Sequence, residues 1–183
     1  MNTTELLKNT NRAFENAPEL QSFTKHIQEL ESSILKLEAE VQLLLPKQAE
    51  FPETLGIISS VLENVRLEIK QMKHKHKEIQ MKILTEQFVA PLMDELHKTL
   101  PYPTRVQINT SESDIEIQIE LMNPEGVQTL TLVPDFAENR VLFVANPELC
   151  NLSPFGSLTN SFGHELLVAP SDMSTLIRLL NLK

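Results

Sequence analysis

The sequence predicts an α+β chain: an N-terminal antiparallel α-helical coiled-coil hairpin, then a small domain with a four-stranded antiparallel meander sheet covered by helices. Three observations predict it. Apolar residues from Leu20 to Leu44, and again from Leu55 to Ile83, recur at alternating spacings of three and four. From about Pro101 the period drops to two and turn residues appear. The first half is nearly free of glycine, holding only Gly56 of the four in the chain. The shift divides a helical region over 1–84 from an α+β interaction domain over 85–183.

A short helix is expected at about 4–15. The stretch "NAPE", Asn16 to Glu19, then restarts the helical pattern, with Pro18 near a first helical position, where its missing N–H is no loss. The helix expected at about 19–45 carries Leu20, Ile27, Ile34 and Val41 at heptad position a, and Phe23, Leu30, Leu37 and Leu44 at d. Pro46 and Pro52 interrupt it. A helix at about 53–84 repeats the pattern through Leu55, Ile58, Leu62, Val65, Ile69, Met72, His76, Ile79 and Ile83.

Facing layers of an antiparallel hairpin share one sum of residue numbers. Here the sum is 99 from Leu44–Leu55 to Leu20–Ile79, and every layer joins an a to a d. The flanks of the first helix are acidic at Glu19, Glu31, Glu38 and Glu40. Those of the second are basic at Arg66, Lys73, Lys75 and Lys82, against Glu68. Such flanks select partners, and Glu31–Arg66 and Glu19–Lys82 are the pairs expected to face each other. The rival arrangement is a parallel homodimer of the first helix, which β-branched residues at a with Leu at d favour.

Beyond Pro91, "PLMDELHKTL" is a further helical segment, closed by "LPYP" at Leu100 to Pro103. Four alternating runs follow: "TRVQINT", "IEIQIEL", "VQTLTLV" and "RVLFVAN". In the second, Ile115, Ile117, Ile119 and Leu121 share one face. "NPEG" (Asn123 to Gly126) reads as a turn with positive φ at Gly126. A short strand is readable in "ELLVA". The C-terminal "SDMSTLIRLLNLK" is a helix candidate, with Ser171 as cap and Met173, Leu176, Ile177 and Leu180 as a stripe. This order of elements is similar to that of RWD-type interaction domains and, more loosely, of small acidic secretion chaperones. Pro103, Pro147 and Pro154 do not form the tyrosine–proline motif of the former, so the likeness is one of element order over about half the chain. It implies protein binding.

The formal charge is −9 and the pI about 5.1. Nucleic-acid binding needs clustered positive charge, so the expected partners are proteins, in a hetero- or homo-oligomer, with no nucleic acid. Cys150 is the single cysteine, so no disulfide can form within the chain. The N-terminus lacks a signal-peptide apolar stretch and no run reaches the roughly 18 apolar residues of a membrane span. The expectation is a cytoplasmic or nuclear protein.

The basic stretch "QMKHKHKEIQ" (71–80) places His74 and His76 two apart, on different sides of a helix. Metal ligands on a helix sit three or four apart, so no metal site is read there. His76 falls in the seam opposite Phe23, where a polar a residue sets register and its protonation loosens the layer. Leu43, Leu45, Phe51, Ile57 and Val61 lie off the seam or in the turn, at the hairpin tip, and form a candidate protein-binding surface. Phe155 and Phe162, in the loop from Asn146 to Pro170, are further candidates. That loop also holds Cys150, Ser161, His164 and Glu165, with Asp172 just beyond. These permit a nucleophilic pair to be drawn without a motif that specifies one. No catalytic, cofactor or metal residues are assigned. The function expected is a non-enzymatic scaffold or adaptor subunit, assembling through the coiled coil and binding proteins through the α+β domain or the hairpin tip. The alternatives are an acidic chaperone or secreted effector that masks a partner, and a hydrolase-type enzyme using the 146–170 loop.

Overall fold

A computed structural model describes residues 2–47, 49–100, 103–111, 114–124, 126–144, 158–159 and 165–168. The chain is α+β, as the sequence predicts, with helices first and an antiparallel sheet after them. It forms two compact units. One comprises residues 13–83; the other joins residues 1–12 to residues 84–183.

The first unit is the helical pair α2 (Pro18–Leu44) and α3 (Pro52–Leu84), linked by a single 3-10 turn at Leu45–Lys47. Pro18 opens α2 and Pro52 opens α3, each at a position that needs no N–H donor. In α2 the residues withdrawn from solvent beyond Pro18 are Leu20, Phe23, Ile27, Leu30, Ile34, Leu37, Val41 and Leu44, with Glu38 beside them. In α3, up to His76, they are Leu55, Ile58, Leu62, Val65, Ile69, Met72 and His76. These are the heptad positions a and d. The pattern arises because a 3.5-residue repeat keeps one stripe of each helix turned to the same side.

The flanking charges pair differently from expectation. Glu31 bonds Lys73 at 2.8 Å rather than Arg66, and Arg66 bonds Glu38 at 2.6 Å. Glu19 makes no ion pair with Lys82. For Glu31 and Glu38 the reason is the lean of helical side chains toward their own N-terminus. Glu31–Lys73 and Glu38–Arg66 each sum to 104, five above the layer value of 99. Their Cα atoms are then offset by about 7.5 Å along the axis, but in antiparallel helices the two side chains lean toward each other. Glu31 and Arg66 start nearer and lean apart. These pairs are largely exposed, so each contributes ~0–1 kcal/mol and acts mainly on orientation.

Gly56 is the one helix-interior glycine among the described residues. It is exposed, and a Cβ built there meets nothing within 4 Å. Gly56→Ala is expected to raise the stability of the hairpin unit by ~0.5–1 kcal/mol. Urea titration monitored by helical circular dichroism checks this; an unchanged or lower midpoint would show that the glycine is needed for more than helix continuity.

In the second unit, α1 (Thr3–Glu15) begins where the Asn2 side chain accepts from the N–H groups of Thr4 at 2.9 Å and Glu5 at 3.3 Å. Thr3, Leu6, Leu7 and Thr10 form its buried stripe. Asn11 donates from Nδ2 to the Phe136 carbonyl at 2.7 Å and to Asn139 Oδ1 at 2.8 Å. The N-terminal twelve residues therefore fold with the sheet, although the sequence places them in the helical region.

Beyond α3 the helix does not break at Pro91. A π-helical turn at Thr85–Val89 leads into α4 (Ala90–Thr99), with the Ala90 N–H bonded to the Thr85 carbonyl. Proline cannot donate to the carbonyl four residues back, and its ring crowds that carbonyl. A wider turn just ahead of it relieves both problems. The buried stripe of this stretch is Leu84, Phe88, Leu92 and Leu96, each fully buried.

The sheet has the order β1-β2-β3-β4-β6-β5. It comprises β1 (Thr104–Thr110), β2 (Ile115–Asn123), β3 (Gly126–Asp135), β4 (Arg140–Val144), β5 (Leu158–Thr159) and β6 (Glu165–Val168). The first four strands are the expected meander. The sheet is wider than four because β6 pairs antiparallel with β4, and β5 with β6. Val141, Leu142 and Phe143 of β4 are buried, which suits an interior strand and not an edge. Asn123 pairs with Gly126, whose φ of 145° favours glycine. Between β3 and β4, Asn139 takes φ 50°, a region asparagine tolerates. Asp135 accepts from the Glu138 N–H at 3.2 Å and from Arg140 Nε at 2.9 Å.

One sheet face carries Ile117, Ile119, Leu121, Leu130, Leu132, Val141 and Phe143, all buried. With the helical stripes of the same unit these make its core. The opposite face carries polar residues together with Val133, Leu142 and Val144, which cluster, and the exposed pair Met122–Val127. The buried Glu116 belongs to that face. The C-terminal helix expected from Ser171 onward lies outside the described residues.

Candidate protein-binding surface

The hairpin tip is built by chain geometry. α2 ends at Leu44, Pro46 sits in the 3-10 turn, and the Glu50 and Phe51 N–H groups bond the Lys47 carbonyl at 2.9 and 3.3 Å. The Leu55 N–H bonds the Phe51 carbonyl at 3.2 Å as α3 begins. The seam residues Leu44 and Leu55 point inward, so their neighbours must point out. Leu43, Leu45, Phe51, Ile57 and Val61 are exposed by 76%, 45%, 42%, 66% and 41%. All five candidate residues of the tip are therefore open to solvent, and they fall in the last turn of α2, the link and the first three turns of α3.

Other exposed apolar residues are Leu35 and Leu67, on the outward side of the hairpin, and the cross-strand pair Met122–Val127 on the sheet's polar face. The sequence reading did not single these out. An apolar residue at an outward heptad position, or on the polar side of an alternating strand, was the available signal. Phe155 and Phe162 lie outside the described residues, as do Cys150, Ser161, His164 and Asp172.

His76 occupies its seam position half-buried, with Nε2 3.2 Å from Thr24 Oγ1. Phe23, its expected neighbour, lines an open groove of about 700 Å³ with Pro18, Glu19, Ser22, Lys75, Glu78 and Ile79. Among the described residues no three histidine, cysteine or carboxylate side chains are grouped to hold a metal ion. His74 instead reaches Glu78 at 3.4 Å along its own helix.

Burial pushes the His76 imidazole below the usual histidine pKa, and a hydrogen bond with Gln80 opposes this in part. The folded chain therefore favours the neutral ring. The stabilisation it brings is present above the unfolded value of about 6.5 and is lost as pH falls through the lower folded value. The thermal midpoint of the hairpin is expected to drop between pH 7 and 5. His76→Leu should raise it and flatten that slope, with the exposed histidines common to both proteins. Parallel pH profiles for the two would exclude His76 as the source.

Neither a family model, nor a curated protein, nor a solved structure matches this chain. No helix among the described residues is long and apolar enough to cross a membrane.

Proposed function

We propose that the protein is a non-catalytic scaffold or adaptor subunit whose α2–α3 hairpin works as a coiled-coil arm and whose tip docks a protein partner. The observation that carries this reading is the group of five exposed apolar side chains at the tip, Leu43, Leu45, Phe51, Ile57 and Val61. Scattered apolar residues on a surface need no explanation, but five large exposed ones within residues 43–61, around one helix link, favour an interaction surface. Leu20, Ile27, Leu55, Leu62 and Ile69 of the seam are buried, and two acidic side chains of α2 pair with two basic ones of α3. The cross-helix ion pairs disfavour exchange with another hairpin.

The test is a pull-down from the native source with wild type and with Leu45→Glu plus Val61→Glu. Both positions are solvent-facing, so the double variant is expected to keep its thermal midpoint within a few degrees, in line with ordinary surface changes. It should lose the proteins that co-purify stoichiometrically with wild type. An identical set of co-purifying proteins would remove the tip from the mechanism. Release of the bound protein on a change of nucleotide state or on delivery to a third protein would favour a chaperone instead.

A further inference from the structure

The strand β1 lies at one end of the sheet, and among the described residues no strand pairs with its outer side. Its hydrogen-bonding phase follows from two bonds on the β1–β2 register. The Met122 N–H donates to the Pro103 carbonyl at 3.0 Å, and the Ser111 N–H to the Asp114 carbonyl at 2.9 Å. Bonded pairs alternate along an antiparallel ladder. Arg105, Gln107 and Asn109 therefore turn their backbone groups toward β2. Thr104, Val106, Ile108 and Thr110 turn theirs to the free side.

Three features make this edge unusual. It is seven residues long, it runs in continuous register with β2 without a bulge, and it holds neither proline nor lysine. Those are the devices that normally keep an edge from pairing. The apolar face is also incomplete there: Ile117 and Ile119 on β2 are fully buried, whereas Val106 and Ile108 opposite them stay half-buried.

We propose that β1 is a self-complementary edge through which two copies of this chain join antiparallel, about a two-fold axis at Gln107. A second copy is the occupant that the strand's own sequence fits. In this register Thr104 faces Thr110 and Val106 faces Ile108 of the other copy, in both directions. Every outward N–H and C=O of one strand meets an outward group of the other. Val106 and Ile108 continue the buried apolar face across the join. On the other face Gln107 meets Gln107, and Arg105 meets Asn109, so no like charges oppose each other. A shift of two residues either way leaves one end of each strand unpaired.

The experiment measures the mass of the full chain by light scattering over a concentration series, with Val106→Pro and with Gln107→Cys in a Cys150→Ser background. Proline at 106 removes only an outward N–H, which an edge strand tolerates. Wild type is expected to approach twice 20.8 kDa as concentration rises. Val106→Pro should stay at the single-chain mass, with the thermal midpoint of dilute, single-chain wild type. Gln107 faces its own copy as a non-hydrogen-bonded pair, the closer kind, so Gln107→Cys should cross-link to a covalent dimer on mild oxidation and Arg105→Cys should not. A single-chain mass for wild type at every concentration overturns the proposal, as does a dimer that survives Val106→Pro. If Val106→Pro fails to fold, the cysteine pair decides alone: absence of the Gln107→Cys cross-link overturns it.

Discussion

Phe88→Ala is expected to cost ~3–5 kcal/mol, measured as the loss of unfolding free energy in urea followed through a probe of the sheet unit. Phe88 is fully buried and stands in the π-helical turn at Thr85–Val89. Two terms add in this estimate. The ring loses its burial, and the cavity left behind cannot close easily, because Leu84 and Leu92 on either side are themselves fully buried and Pro91 restricts the backbone ahead of them. Domains of this size have ~5–15 kcal/mol of stability in all, so much of the margin would go. The hairpin unit, residues 13–83, should keep its helical signal at denaturant concentrations where the sheet signal has gone. A loss below ~1 kcal/mol would mean that Phe88 does not anchor this core.

The second large effect is expected at α1. Leu7→Ala should cost ~2–5 kcal/mol, since Leu7 is fully buried in the stripe with Thr3, Leu6 and Thr10. Asn11→Ala should cost ~1–3 kcal/mol, because it removes the donor shared by the Phe136 carbonyl and Asn139 Oδ1. The two residues hold one helix, so the double variant should lose less than the sum of the singles. Limited proteolysis would then cut near residues 13–17 in the variants and spare wild type. Stability unchanged by Leu7→Ala would show that α1 is not part of the sheet unit's core. Additive losses would show that the two contacts act independently.

The helices α2 and α3 were legible because their signal is local and repetitive. Each of the positions Leu20, Phe23, Ile27 and Leu30 follows from a helical period alone, and so does the second apolar series from Leu55 to Ile79. The tip was legible as the complement of that seam: once Leu44 and Leu55 face inward, Leu43, Leu45 and Ile57 must face out. The meander was legible for the same reason, since alternation in "IEIQIEL" assigns Ile117 and Ile119 to one face without any knowledge of what covers it.

What the sequence by itself determined was therefore the element types, the heptad seam, the alternating faces and the turn at Gly126. These depend on periods of two or 3.5 residues and on one residue's allowed φ. The tertiary structure alone decided four things: that α1 folds with the sheet; that Glu31 takes Lys73 rather than Arg66; that Pro91 is absorbed by a π turn; and that β6 closes the side of β4. Three of these are choices among partners distant in sequence, settled by side-chain lean or by the need to cover a buried strand, and the π turn is a local backbone response to Pro91. A one-dimensional pattern contains no term for such choices. The free side of β1 is of the same kind, because an edge exists only once the order of the strands is set.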